Sequence, residues 1–269
     1  MRTQTEKYSQ RDVRSFWDFT ARELPAFCDA PSTRYYFDCE KALLEKYFPE
    51  LRGKRILKTD LWDEAKNSRI LCWAAEQGAH VYGLDISTEI LREARTAFRS
   101  YANNFNPRFI ISDVRSIGLA SDSFDYIYSM GTVEHFPDYL VALKECFRVL
   151  KKGGRAIIGV PNKLDPFLRP ASVYLLSKFG LYSYGYELSF SRRKLNQILK
   201  EVGFRIIDNT GILFMPGLLR MADLYFFCYM PWATALTAPL IAPFAFLYRR
   251  FPRLRRHGYL IACVVDKPT

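Results

Sequence analysis

The 269-residue chain carries 49% hydrophobic and 25% charged residues, a balance that supports a folded core and excludes a disordered or fibrous protein. Its length suits one large domain with appendages. The formal net charge of +11 exceeds what an enzyme of neutral metabolites requires and points to an anionic partner: phospholipid head groups, nucleic acid or a phosphate-bearing substrate.

The opening residues, MRTQTEKYSQRD, contain no apolar core of a secretory signal, so a cytoplasmic location is the default expectation. Residues 1–53 read as a helical extension, with helices at Ser15 to Leu24 and at Cys39 to Phe48, the second stopped near Pro49. From Lys54 short apolar runs alternate with helical patterns, the mark of βαβ units. Strands are expected at Arg55–Asp60, His80–Ile86, Arg108–Asp113, Phe124–Met130 and Arg155–Val160. Between them fall helices near Glu64–Gln77, Thr88–Tyr101 and Asp138–Leu150, the last closed by Gly153 and Gly154. An aromatic-rich stretch, Pro161 to Phe190, precedes a capped helix at Ser191–Val202, a strand at Phe204–Leu213 and a final strand at Tyr259–Asp266. The fold class is α/β, a seven-stranded, mostly parallel sheet flanked by helices, in a domain spanning 54–269 with an apolar insertion at 214–257 before the last strand.

That insertion is much longer than a strand connection needs. Leu224 to Tyr248 contains no charged residue and is long enough to cross a bilayer, but Pro231, Pro239 and Pro243 break it. Arg249, Arg250, Arg253, Arg255 and Arg256 follow directly, a juxtaposition that favours a membrane surface. An interfacial helical hairpin is expected; a lid or a dimer interface is the alternative. The six cysteines are scattered without a CxxC pair and read as reduced structural thiols, with no metal site.

Parallel α/β sheets bind ligands at the carboxyl ends of their strands. The second strand ends in VYGLDIS, where Asp85 either accepts both hydroxyls of a ribose or caps the next helix. The third ends in IISDV, placing Asp113 in reach of an adenine amine. Met130 and Gly131 form a small, flexible end to the fourth strand, and His135 lies just beyond it.

The segments GLDIS, SDVRSIGLASDSFDYIYSMGTVEHF and ALKECFRVLKKGGRAIIGVPN, in this order, resemble the successive motifs of class I S-adenosylmethionine-dependent methyltransferases, closest to the group of ubiquinone-biosynthesis-like enzymes. The resemblance implies a Rossmann-like fold and S-adenosylmethionine as cofactor, with Asp85 and Ile86 at the ribose, Asp113 and Val114 at the adenine and Met130 lining the cleft. One departure stands out: the first strand should lead into a glycine-rich loop, and here the chain reads RILKTDLWDEAKNS. Thr59, Asp60 and Glu64 are candidates to replace the lost backbone contacts, Asp60 toward the methionine ammonium. His135 is the candidate base, with backbone bonding as its structural alternative, and Glu134 is a candidate to orient it or to contact the cofactor.

These readings give methyl transfer to an oxygen or carbon of a lipophilic or lipid-linked small molecule at a membrane surface, by a protein held peripherally or monotopically on its inner face. A soluble acceptor, or a non-catalytic membrane-associated protein of the same fold, are the alternatives. No NPPY-type motif follows the fourth strand, which argues against nucleic-acid methylation. A nicotinamide dehydrogenase would need its own glycine fingerprint.

Overall fold

The computed structural model describes residues 10–101, 105–180 and 182–269, so most of the polar N-terminal dozen lies outside the described residues. Seven strands form one sheet: β1 (Arg55–Lys58), β2 (His80–Asp85), β3 (Arg108–Ile111), β4 (Phe124–Met130), β5 (Leu150–Pro161), β6 (Arg205–Ile212) and β7 (Leu260–Asp266). Their order is β3-β2-β1-β4-β5-β7-β6. β1 to β5 pair in parallel, and β7 runs antiparallel to both β5 and β6. The carboxyl end of β6 and the amino end of β7 therefore share the edge at which β1 to β5 terminate.

Alternate residues of each strand point to opposite faces and feed two cores. Ile56, Tyr128 and Val264 face one core, which also holds α2 (Pro31–Tyr47), α4 (Ile70–Glu76) and α5 (Thr88–Tyr101). Leu57, Ile127 and Val265 face the other, with α6 (Tyr139–Val149) and α8 (Arg192–Val202). Cys39, Leu43 and Leu44 of α2 are fully buried in the same core as β1. Helix α1 (Gln10–Glu23) reaches α5, where Asp18 accepts hydrogen bonds from the Ser87 hydroxyl and the Glu89 amide.

The helix expected over 64–77 is two helices, α3 (Trp62–Lys66) and α4, separated by Asn67 to Arg69, with Arg69 left-handed at φ 58°. Side-chain bonds replace the helical ladder there. The Asn67 carbonyl oxygen accepts from Thr33 (3.0 Å) and Arg220 (3.2 Å), its amide donates to Asp63 (2.7 Å), and Ser68 bonds Glu40. The aromatic stretch after β5 contains a helix the sequence pattern did not mark, α7 (Arg169–Lys178), whose apolar residues are spread around it rather than gathered on one side.

The insertion folds as α9 (Gly217–Tyr229) and α10 (Thr234–Arg250), joined by a 3₁₀ turn at Pro231–Ala233 and packed on each other and on α2. Helix α10 runs through Pro239 and Pro243 instead of breaking. The carbonyls of Ala235 and Pro239 lose their helical donors, and both residues are exposed. Pro231 to Arg250 is long and apolar enough to cross a membrane by length and composition, with 22% of its window buried. Its flanking strands meet one edge of the sheet, so the segment leaves and returns on one side.

Candidate active site

A cleft of about 340 Å³ opens at the carboxyl edge, walled by strand tips, α1, α9 and the segment 182–187. Of the residues expected from sequence, it brings together Thr59, Asp60, Asp85, Ile86, Val114, Met130 and His135. Asp113 is not among its lining residues. Its carboxylate is held by Arg115, whose Nη2 lies 2.7 Å from Oδ2, while Arg115 also reaches Asp138 and stacks over Phe136 at 4.6 Å. Ser112 and Val114 present themselves to the cleft in its place.

At the tip of β1, where the glycine loop is missing, stands a buried ion cluster. Lys58 is wholly buried, with Nζ 2.9 Å from Asp60, 3.0 Å from Asp63 and 3.4 Å from Glu64. Burial alone would lower its pKa, but the three carboxylates more than reverse this and hold it well above the usual lysine range. Asp60 also accepts from Thr132 Oγ1 at 2.7 Å, and Thr132 contacts the Thr59 hydroxyl at 3.0 Å. Burial raises Asp60 against the pull of Lys58 and pushes Glu64 up to about 7. Behind them Glu40, raised by burial, accepts from Tyr128 Oη at 2.8 Å.

Asp85 ends β2. Its two oxygens each accept a backbone amide at 2.8 Å, from Leu61 and from Ser87, which fixes the carboxylate's direction. Asp85 thus ties the following turn and lines the cleft, while the cap of α5 is Ser87, whose Oγ accepts from the Ile90 amide at 3.1 Å. Burial lifts its pKa to about 7 despite those amides.

Past β4, Met130 packs its sulfur over Gly159, where an added Cβ would lie 2.0 Å from Sδ. Glu134 is 2% exposed, lines the cleft and has one carboxylate oxygen, Oε2, with no hydrogen-bond partner. Burial, reinforced by Glu187, pushes its pKa well above the usual carboxylate range. His135 is half-buried with its ring edge-on to Trp17 at 5.1 Å. Its Nδ1 lies 2.8 Å from the Tyr186 carbonyl oxygen, which can only accept, so Nδ1 carries the proton and Nε2 the lone pair. Burial lowers its pKa, keeping the ring neutral at pH 7.

The far wall could not be read from local pattern. Arg169 of α7 is buried, bonded to Glu187 (2.8 Å from Nη2 to Oε2) and stacked on Tyr259 at 4.2 Å. Arg220 of α9 bonds the Ser32 carbonyl and Asn67, and stacks on Tyr36 at 5.0 Å. Trp62, standing in the glycine-loop segment, meets Trp17 at 6.0 Å and Tyr184 at 5.7 Å. Trp62 lies in the segment whose lack of glycine the sequence shows; the arginines' partners are distant in the chain and left no local signal.

The methyltransferase-domain family matches residues 49–158. The ubiquinone biosynthesis O-methyltransferase of Coxiella burnetii is 27% identical over 172 residues, 62% of this chain and 70% of that protein. Methyltransferase GfsG of Streptomyces halstedii is 36% identical over 87 residues, 32% of this chain and 31% of its own length. Among solved structures, magnesium protoporphyrin IX methyltransferase from Synechocystis, with S-adenosylhomocysteine bound, superposes with a TM-score of 0.62 at 14% identity, covering 96% of this chain and 99% of that one. The [4+2]-cyclase SpnF superposes at 0.61 with 16% identity over 97% of each chain, which shows that the fold by itself does not fix the chemistry. Sequence match, sheet order and cleft position agree, and the chain is a class I S-adenosylmethionine-dependent methyltransferase.

Proposed function

We propose that this methyltransferase acts on an oxygen or carbon of a lipophilic or lipid-linked acceptor that enters the cleft from a membrane surface. The observation that carries this is the inside-out character of α9. Its polar Arg220 and Asp223 are buried, while Leu218, Met221, Tyr225 and Tyr229 are exposed along one stripe, and the last three also line the cleft. Helix α10 repeats the inversion, with Thr237 buried and Leu236, Leu240 and Phe246 exposed, and Trp232 of the preceding turn is exposed beside them. An exposed apolar stripe leading into a binding cleft suits a ligand that is itself apolar. Exposed Arg249, Arg250, Arg253 and Arg256 at its end suit anionic head groups, and the name of the Coxiella relative agrees with a quinone-like acceptor. Attachment is peripheral or monotopic, on the cytoplasmic face.

In this reading Asp85 binds the ribose hydroxyls, Ile86, Ser112 and Val114 flank the adenine, and Met130 supports the cleft floor. Asp60, Thr59 and Glu134 face the methionine end. The residues fit such a cofactor: the oriented carboxylate of Asp85 and the unpartnered oxygen of Glu134 are complementary to hydroxyls and to positive charge. The bound sulfonium supplies an electrophilic methyl group, and the protein's task is alignment and exclusion of water. His135 Nε2 takes the proton of an acceptor hydroxyl.

His135→Gln is expected to lower kcat by about 10²–10⁴-fold while leaving cofactor affinity unchanged. Because burial holds the folded pKa below the ordinary value of 6.5, activity should be level above neutrality and fall only below the usual histidine range. A variant that retains the parental rate and acid limb would remove His135 from the reaction.

Membrane docking is tested by flotation with vesicles of phosphatidylcholine and phosphatidylglycerol. The parent should rise with the vesicles. Replacing Trp232, Leu236, Leu240 and Phe246 with serine should leave it at the bottom with an unchanged melting curve, since each exposed side chain contributes about 1.5 kcal/mol to insertion and little to the core. A parent that stays at the bottom would turn the reading to a soluble acceptor, with the insertion as a lid.

A further inference from the structure

Glu40, Asp60, Asp63 and Glu64 gather around one buried lysine, Lys58, so the end of the cleft beside Asp60 holds more acid than its internal cation can balance. Glu134, from a different strand end, adds the buried oxygen without a hydrogen-bond partner described above. We propose that this acid excess makes the enzyme selective for the charge of its cofactor, taking the cationic S-adenosylmethionine and releasing the neutral product S-adenosylhomocysteine. The inference rests on the reading that the methionine end lies beside Asp60 and Glu134.

Charge conservation in the reaction supplies the switch. The S–CH₃ bond breaks, its electron pair stays on sulfur, the methyl joins the acceptor oxygen, and the displaced hydroxyl proton passes to His135. Sulfonium, ammonium and carboxylate sum to one positive charge before transfer; thioether, ammonium and carboxylate sum to none afterwards. In a buried, poorly screened site that lost charge weighs heavily.

The selectivity is linked to pH. Facing these acids are Lys58 from β1, Tyr36 from α2, Tyr128 from β4, Asp85 from β2, His135, Arg169 from α7 with Glu187, and Arg220 from α9. Burial raises Asp60 and Glu134 and sets Glu64 and Asp85 at about 7, so Glu64 and Asp85 ionise as pH rises through neutrality. A bound cation favours their ionised forms and expels protons.

Calorimetric titration of the full chain with S-adenosylmethionine, S-adenosylhomocysteine and sinefungin, an unreactive analogue with an amine-bearing carbon in place of the sulfonium, tests this in buffers of different ionisation enthalpy. At about pH 8 the two cationic ligands should bind at least about tenfold tighter than the thioether, and at about pH 6 the gap should shrink to roughly threefold or less. Protons should be released with the cations and fewer with the thioether. Glu64→Gln, which keeps the acceptor for the Leu71 amide, should narrow the gap at the higher pH. Equal affinities at the higher pH, or a gap that ignores pH, would overturn the selectivity alone. Failure of all three ligands to bind would remove the cofactor placement as well.

Discussion

A Lys58→Met protein is expected to lose about 3–5 kcal/mol of stability at pH 8 and markedly less at pH 5, because removing one member of a buried ion cluster strands the others. Lys58 is fully buried and within 3.4 Å of three carboxylates, so the methionine fills the space and supplies none of the charge. The pH dependence has a definite sign. Without the lysine, Asp60 and Glu64 avoid the penalty only by holding protons, and that remedy is lost as pH rises. Urea melts at the two pH values measure it, and thermal midpoints should fall by on the order of 10 °C at the higher one. Equal losses at both pH values would show that packing, not charge, is what Lys58 contributes.

Asp85→Ala is expected to weaken cofactor binding by more than about 100-fold, the equivalent of two charge-assisted hydrogen bonds of about 1.5 kcal/mol or more each. Calorimetric titration reads this directly; binding within a few fold of the parent would remove Asp85 from the ribose site. The same side chain has a cost in the empty enzyme. A carboxyl whose folded pKa is about 7, against an ordinary 3.8, favours the folded state while protonated. Its contribution is lost as pH rises from about 4 to about 7. Cofactor should therefore stabilise the protein more at alkaline than at acid pH.

The strands were legible because each is a run of β-branched or aromatic residues ended by polar or glycine residues, and all seven overlap the expected positions, although β5 starts at Leu150 and takes in residues 151–154, expected as the stop of the preceding helix. What stayed hidden was tertiary. Lys58 reads as a strand-end lysine until three acids close on it. Asn67 breaks a helix through bonds to Thr33 and Arg220, residues 34 and 153 positions away. Asp113 and Arg115 are a near neighbour pair whose closure the sequence could have suggested. The apolar insertion announced itself by lacking charge, but its outward orientation depends on Arg220 and Asp223 turning in toward Ser32 and Thr237.

The strand order also dictates an order of assembly. β6 pairs with β7 alone, and β7 lies on the far side of the insertion in the chain. During synthesis β6 and the whole apolar hairpin are made before β7, the strand that locks them to β5. The sheet edge that borders the cleft therefore closes last, when β7 inserts antiparallel between β5 and β6.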